Sequence, residues 1–193
     1  MTRSRMVQWL RWTAVLIVVT LAMSGTAAAQ APPPVQGTIA LEGTMKKFYR
    51  AVNVVVVTTI DGVEHVYHFA KDLVVHGGKG SGVKALEGLR EGTTVVVHYT
   101  AEGSEQAARE IDVIGGEGLE VTEGMVTRVD RGRRQITVRY DNGKTEVFRL
   151  TERAAAETAQ SGDQAAPTGT KVAIYYSDEH GQKVAHFFRR VSK

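Results

Sequence analysis

Six histidines, His65, His68, His76, His98, His180 and His186, are the side chains of this sequence best suited to metal chemistry, because neutral imidazole is a common ligand for zinc and copper. Their spacing supplies no ready-made site. No H-x-H, H-x-x-x-H or H-E-x-x-H pattern occurs, and His65 and His68, an odd number apart, point to opposite faces of a strand. A site would have to assemble from separate strands. The sequence therefore reads the histidines as surface or strand-filling residues and assigns no metal ligand and no cofactor.

Other chemistries fare no better. The chain has no Cys, which removes disulfides, thiolate metal sites and cysteine catalysis. The stretch Gly77-Gly-Lys-Gly-Ser-Gly82 is followed by Val83, so the phosphate-binding pattern G-x-x-x-x-G-K-[ST] fails. Gly80-x-Gly82-x-x-Ala85 fits the loose dinucleotide fingerprint, but the next strand begins at Thr94 and leaves no room for a βαβ unit. A flexible connector is the reading. Ser81, Ser104, Ser161 and Ser177 sit in no G-x-S-x-G elbow, and Asp61, Asp72, Asp130 and Asp141 stand at turns, where Asp bonds its own backbone. The chain is expected not to be an enzyme.

Two basic clusters remain. Lys46, Lys47, Phe48, Tyr49 and Arg50 form one, and Arg131, Arg133 and Arg134 the other. Arginine forks suit phosphate, sulfate or carboxylate, and Phe48 and Tyr49 can stack on a planar group. These eight residues are the candidate ligand-binding set, for an anionic glycan, a lipid headgroup or an acidic protein surface.

The elements that must position these residues are strands. Apolar, β-branched runs such as Val52 to Ile60, Val63 to Phe69, Val95 to Tyr99, Gln135 to Tyr140 and Val172 to Tyr176 are separated by glycine-containing turns. Asp61-Gly62 and Asn142-Gly143 read as two-residue type I′ hairpins. The pattern repeats. Gly92 to Thr100 (GTTVVVHYT) aligns with Gly169 to Ser177 (GTKVAIYYS) at an offset of 77, and Ala107 to Ile111 then falls on Val184 to Phe188. Upstream, Gly62 with Val66 to Phe69 matches Gly143 with Val147 to Leu150 at an offset of 81, and Gly37 is taken to open the first unit as Gly124 opens the second. Two copies of a period near 80 make each copy a domain, 37–118 and 119–193.

Each copy reads as three strands, a non-strand stretch and two strands. In the first, Val83, Leu86 and Leu89 recur at a spacing that suits a helical turn; in the second, an Ala- and Gln-rich insert near 152–168 reads as flexible. A helical turn between the third and fourth strands is the order of the OB-fold, whereas an SH3-like barrel usually has it between the fourth and fifth. The expected fold is all-β, two tandem small five-stranded OB-like barrels, with the SH3-like barrel as second choice. In an OB-fold the 1–2 loops bind ligands, and both basic clusters are expected there. Exposed strand edges offer a rival route, by adding a partner's strand. Of the aromatics in the last strands, Tyr175, Tyr176, Phe187 and Phe188 are expected to fill the second core. Phe187 and Phe188 face opposite ways, which places one of them at the surface or an inter-domain contact.

The G-x-V/I openings, the DG and NG hairpins, the G-T-x-V-x-V-x-Y strand and the closing A-x-x-I/F strand resemble uncharacterised secreted bacterial barrel domains such as domain of unknown function 5666, over nearly all of residues 35 to 191. That resemblance implies an envelope location and little about activity. A periplasmic copper-chaperone barrel is similar in fold, but its site, a His with two Met and a Trp, finds no match where only Met45 and Met125, far apart, remain beyond residue 29 and no Trp does. A periplasmic copper or zinc carrier is thus the weakest of the three functional expectations.

The N-terminus explains the address. Arg3, Arg5 and Arg11 precede the apolar run Trp12 to Met23, and Ser24 to Ala29 is small and ends in an A-x-A pattern, so residues 1–29 read as a signal peptide cleaved after Ala29. An uncleaved anchor is the alternative, although a spanning helix wants about 20 apolar residues. Residues 30–36 form a Pro-rich leader. The chain has 193 residues and a formal charge of +3; losing Arg3, Arg5 and Arg11, with no acid, leaves 21 basic against 21 acidic residues. The expected product is a neutral periplasmic or secreted binding module with no membrane span, for which nucleic acid is a poor partner.

Overall fold

The structure is a computed structural model that describes residues 37–78, 82–160 and 167–191. The signal segment, its cleavage point, the Pro-rich leader and part of the glycine-rich connector lie outside them. The first repeat forms β1 (Ile39–Tyr49), β2 (Val54–Thr58), β3 (Glu64–His76), β4 (Thr94–Glu102) and β5 (Glu105–Val113). The second forms β6 (Glu120–Asp130), β7 (Gln135–Arg139), β8 (Thr145–Leu150), helix α1 (Glu152–Gln160), β9 (Lys171–Glu179) and β10 (Gln182–Arg190). Among the described residues no helix is long and apolar enough to cross a membrane.

Both repeats close into five-stranded barrels in the same order: β1-β2-β3-β5-β4 and back to β1, then β6-β7-β8-β10-β9 and back to β6. The third and fifth strands of each pair in parallel. A 3₁₀ turn, Gly82–Leu86, follows β3 and buries Ala85 and Leu86, as the spacing of Val83, Leu86 and Leu89 anticipates. Its counterpart in the second barrel is α1, so residues 152–160 of the insert expected to be flexible are an ordered helix. Thr151 Oγ1 accepts from the Ala154 amide at its start, and Ala154 and Thr158 are buried.

The hairpins differ in detail from the expected type. Only the glycines have positive φ, +83° at Gly62 and +80° at Gly143. The Gly62 amide donates to the Thr59 carbonyl and the Thr59 amide to the Val63 carbonyl, with Tyr140, Gly143 and Lys144 doing the same. That is a type I turn completed by a left-handed glycine, which lets Asp61 and Asn142 keep negative φ. The repeat is also re-aligned: Gly43, not Gly37, corresponds to Gly124. Gly43 pairs with Val95 and Gly124 with Val172, the same offset of 77 on the fourth strand. A Cβ on Gly43 would lie 2.6 Å from the Thr58 carbonyl oxygen, and one on Gly124 3.2 Å from that of Arg139. Glycine is needed there because the second strand crosses close over the first.

Each barrel has its own core, around Val57, Tyr67, Val97 and Ile111 in the first and Ile136, Phe148, Leu150 and Ile174 in the second. On β4 the inward residues are Val95, Val97 and Tyr99, and the period of 2 sends Val96 and His98 outward, yet both are fully buried. The outer face of β4 is covered by the second barrel: Val96 packs with Leu119, Ala173 and Tyr175, joined by Phe187 and Ala40. Tyr175 and Phe187 therefore belong to this junction and not to the second core, whereas Tyr176 and Phe188 do line that core. The opposition of Phe187 and Phe188 is as expected.

The same irregularity shapes both closing hairpins. Across β4 and β5 the register slips so that Arg109 is an extra residue between Ala108 and Glu110; across β9 and β10 it slips at His186, between Ala185 and Phe187. These positions are 77 apart. A bulge re-aims the side chain it carries, and here it puts His186 on the outer face beside Phe187. The link between barrels is short and pinned: Ile114 bridges Leu119, the Leu119 amide donates to the Val113 carbonyl at 2.7 Å, and a Cβ on Gly118 would fall 2.0 Å from that oxygen.

Candidate metal centre

Alternation on β5 sends Ile111 and Val113 into the first core and Glu110 and Asp112 outward, into the buried junction. β3 runs parallel to β5 and sets its last residue, His76, in register with Asp112. The bulge of β10 delivers His186 from the second barrel. One donor atom from each of His76, Glu110, Asp112 and His186 lies within 4.8 Å of all the others. His76 Nδ1 is 2.8 Å from Asp112 Oδ1 and 3.3 Å from Glu110 Oε1; His186 Nδ1 is 3.7 Å from Asp112 Oδ1 and 3.8 Å from Glu110 Oε1. Glu110, Asp112 and His186 are 6%, 0% and 3% exposed.

Around these donors a ring of neighbours ties down the atoms that face away. His98 Nε2–H donates to Asp112 Oδ2 at 3.0 Å and His98 Nδ1–H to Glu157 Oε1 at 2.7 Å. Glu157, on α1, also accepts from Thr38 Oγ1. Arg153 Nε donates to Glu110 Oε2 at 2.7 Å, and His186 Nε2 lies 2.9 Å from Ser177 Oγ. Within this group two buried atoms, Glu110 Oε1 and His186 Nδ1, have no hydrogen-bond partner among the described residues, and both face the cluster. A buried donor or acceptor without a partner carries the full desolvation penalty of about 1–3 kcal/mol. A bound cation would satisfy both.

The electrostatics fit a site built for positive charge. The hydrogen bond to Asp112 and then the nearby Glu110 carboxylate push the His76 imidazole up to about 10, against the effect of burial. Burial opposes charge on His98, but Asp112 and Glu157 outweigh it and push it up to about 10. Burial likewise works against ionisation of Glu110 and Asp112; the imidazoles of His186 and His76 hold Glu110 well below the usual carboxylate range, and those of His76 and His98 hold Asp112 below it. Without an ion, protons on imidazole stand where a metal's charge would stand.

The basic residues lie elsewhere. Lys46, Lys47, Phe48 and Tyr49 belong to strand β1 and not to a loop, because the strand continues to Tyr49; only Arg50 enters the 3₁₀ turn that follows. Lys46 pairs with Glu64, and Arg50 Nη1 lies 3.0 Å from Glu87 Oε1. Phe48 packs on the first core beside Phe69, 5.7 Å between ring centroids, and Lys47 Nζ sits 5.1 Å over the half-exposed Tyr49 ring. Arg131, Arg133 and Arg134 occupy the exposed β6–β7 turn, where Asp130 accepts from the Arg133 amide. Arg134 and Asn53 share φ of +52°, so this turn matches Arg50–Asn53 and not Lys46–Arg50. The structure does not bring the two basic sets together with the histidine cluster.

Surface or strand-filling roles do not describe three of the histidines. His98 and His186 are buried and His76 is half-buried among acids. The signal that marks them is Glu110-x-Asp112 on a strand whose copy carries Phe187 at the first of those positions: paired acids in a buried alternation need partners of opposite charge.

No family model matches this chain, and no curated protein matches it. Among solved structures, one titled "Crystal structure of Ag(I)CusF" is similar over 39% of this chain and 96% of that one, with 10% sequence identity and a TM-score of 0.30.

Proposed function

We propose that this chain is an exported, non-catalytic binding module that holds a divalent metal ion between two barrels of the OB-fold type. The observation that carries the reading is the convergence of His76, Glu110, Asp112 and His186 within 4.8 Å, with two of the four donor atoms buried and unpartnered. Four candidate donors from the protein, enough to fill a tetrahedral ion's positions, support a closed binding site over a catalytic one. The signal-like N-terminus and the resemblance to secreted bacterial barrel domains support export. The strand order and the helical segment after the third strand support the OB designation. Both sheets close, so among the described strands neither barrel offers a free edge for a partner strand.

Elemental analysis after dialysis against buffered Zn²⁺ tests the reading. Protein purified after export is expected to retain one ion per chain, and Asp112→Asn combined with His186→Gln to retain none. A wild-type protein that emerges ion-free overturns it.

The exposed Arg131, Arg133 and Arg134 turn supports a second reading, an anionic ligand at the second barrel. Retention on anionic-lipid vesicles is then expected to fall as salt rises and to vanish in Arg131/Arg133/Arg134→Ser. Retention unchanged in that variant removes the turn from consideration.

A further inference from the structure

The donor set says which ion belongs here. We infer, on the reading just given, that the site is a closed, tetrahedral centre for a borderline divalent ion of the Zn²⁺ type, and not for a soft monovalent ion or for Ca²⁺ or Mg²⁺. Bonds of about 2.0–2.2 Å from zinc to nitrogen and oxygen imply a separation of about 3.3–3.6 Å between donors at tetrahedral corners. The four imidazole–carboxylate separations, 2.8, 3.3, 3.7 and 3.8 Å, bracket that edge, and every pair of donors lies within 4.8 Å.

Donor chemistry points the same way. The cluster has two imidazoles, two carboxylates and no sulfur. The chain has no Cys, and Met45 is buried in the first core, packed among Val55, Val57 and their neighbours. Soft ions such as Cu⁺ and Ag⁺ select thiolate or thioether ligands. Ca²⁺ takes six to eight oxygens and Mg²⁺ an octahedron of oxygens with several waters, which a set of two imidazoles and two carboxylates does not provide.

Orientation completes the argument. With His186 Nε2–H donating to Ser177 Oγ, Nδ1 is left as a bare lone pair turned into the cluster. His98 holds the rear oxygen of Asp112 and Arg153 that of Glu110, so three of the four donors are aimed by a neighbour. Ser177, His98 and Arg153 are positioning residues. Their work is to present the donor atoms in one geometry.

Co²⁺ substitution tests the class. The full exported protein loaded with Co²⁺ is expected to show the intense visible absorption of tetrahedral cobalt. Stoichiometric Zn²⁺ should abolish that absorption; excess Ag⁺, Ca²⁺ or Mg²⁺ should leave it. Ser177→Ala is expected to weaken Co²⁺ binding about 10-fold with the far-UV circular dichroism unchanged. Weak, octahedral-type absorption, or displacement by Ag⁺ or Ca²⁺ at Zn²⁺-like concentrations, overturns the ion class and leaves the metal-binding reading standing. If neither Co²⁺ nor Zn²⁺ nor any other of these ions binds, both readings are overturned.

Discussion

Replacing His98 with alanine is expected to lower the unfolding free energy of the ion-free protein by about 3–5 kcal/mol, read by urea denaturation in the presence of a chelator. His98 is fully buried, and both its nitrogens donate to carboxylates, one on β5 of the first barrel and one on α1 of the second. Two acceptors on one imidazole require the charged form, and the side chain is held in it. Removing the ring leaves Asp112 with the imidazoles of His76 and, at 3.7 Å, His186, so the buried Asp112 and the part-buried Glu157 lose an imidazolium at once. The size of the effect comes from stranded charge and not from the value of the bonds themselves. Removing the charges together is therefore expected to restore most of the loss: His98→Leu with Asp112→Leu and Glu157→Leu exchanges an ionic cluster for an apolar one of similar volume. A loss from His98→Ala below about 1 kcal/mol, the range of exposed ion pairs, would mean that water reaches the cluster.

The second large effect is expected at Phe148. Its ring is fully buried in the second barrel, edge-on to Tyr176 with 5.2 Å between centroids, and Ile136, Val138, Leu150 and Ala185 belong to the same core. Phe148→Ala is expected to cost about 3–5 kcal/mol, because a closed barrel cannot collapse into the cavity without breaking strand pairing. The damage should spread. The second barrel covers Val96 and His98 of the first and supplies His186, so thermal unfolding followed by tyrosine fluorescence should shift for the whole protein, and Zn²⁺ retention should fall near the new midpoint. A first barrel that melts unshifted in Phe148→Ala would show that the junction contributes little to its stability.

Much of the fold was legible because it rests on periodic features. Alternating Val-rich runs, glycine turns and a repeated G-T-x-V strand identify the strands and the duplication directly. Details that depend on three-dimensional closure were not legible. The offset of 81 that matches Gly62 with Gly143 also carries Gly43 onto Gly124, but the strand crossing that requires glycine there leaves no mark in the sequence. Lys46 to Tyr49 read as a loop because Lys-Lys-Phe-Tyr-Arg breaks alternation, but a register slip between Met45 and Lys47 absorbs the break and the strand continues. The histidine cluster escaped for the same kind of reason. His76, His98 and His186 are separated by 22 and 88 positions and belong to three strands in two barrels, so no local spacing can announce them. His186 in addition faces the junction only because a bulge shifts the alternation, and bulges leave no mark on a period-2 reading.

The pinned link from Val113 to Leu119 changes how the fourth donor should be thought about. In two free barrels His186 would have to meet Glu110 and Asp112 by diffusion, and the complex would weaken on dilution. Here the encounter is intramolecular, and the relevant quantity is the effective concentration of one barrel around the other. Flexible linkers give values in the millimolar range, and a short connection that already matches the span gives the maximum for its length. The entropy of assembling the site is therefore charged to folding, before any ion arrives, and ion affinity should be the same in dilute solution as at high protein concentration.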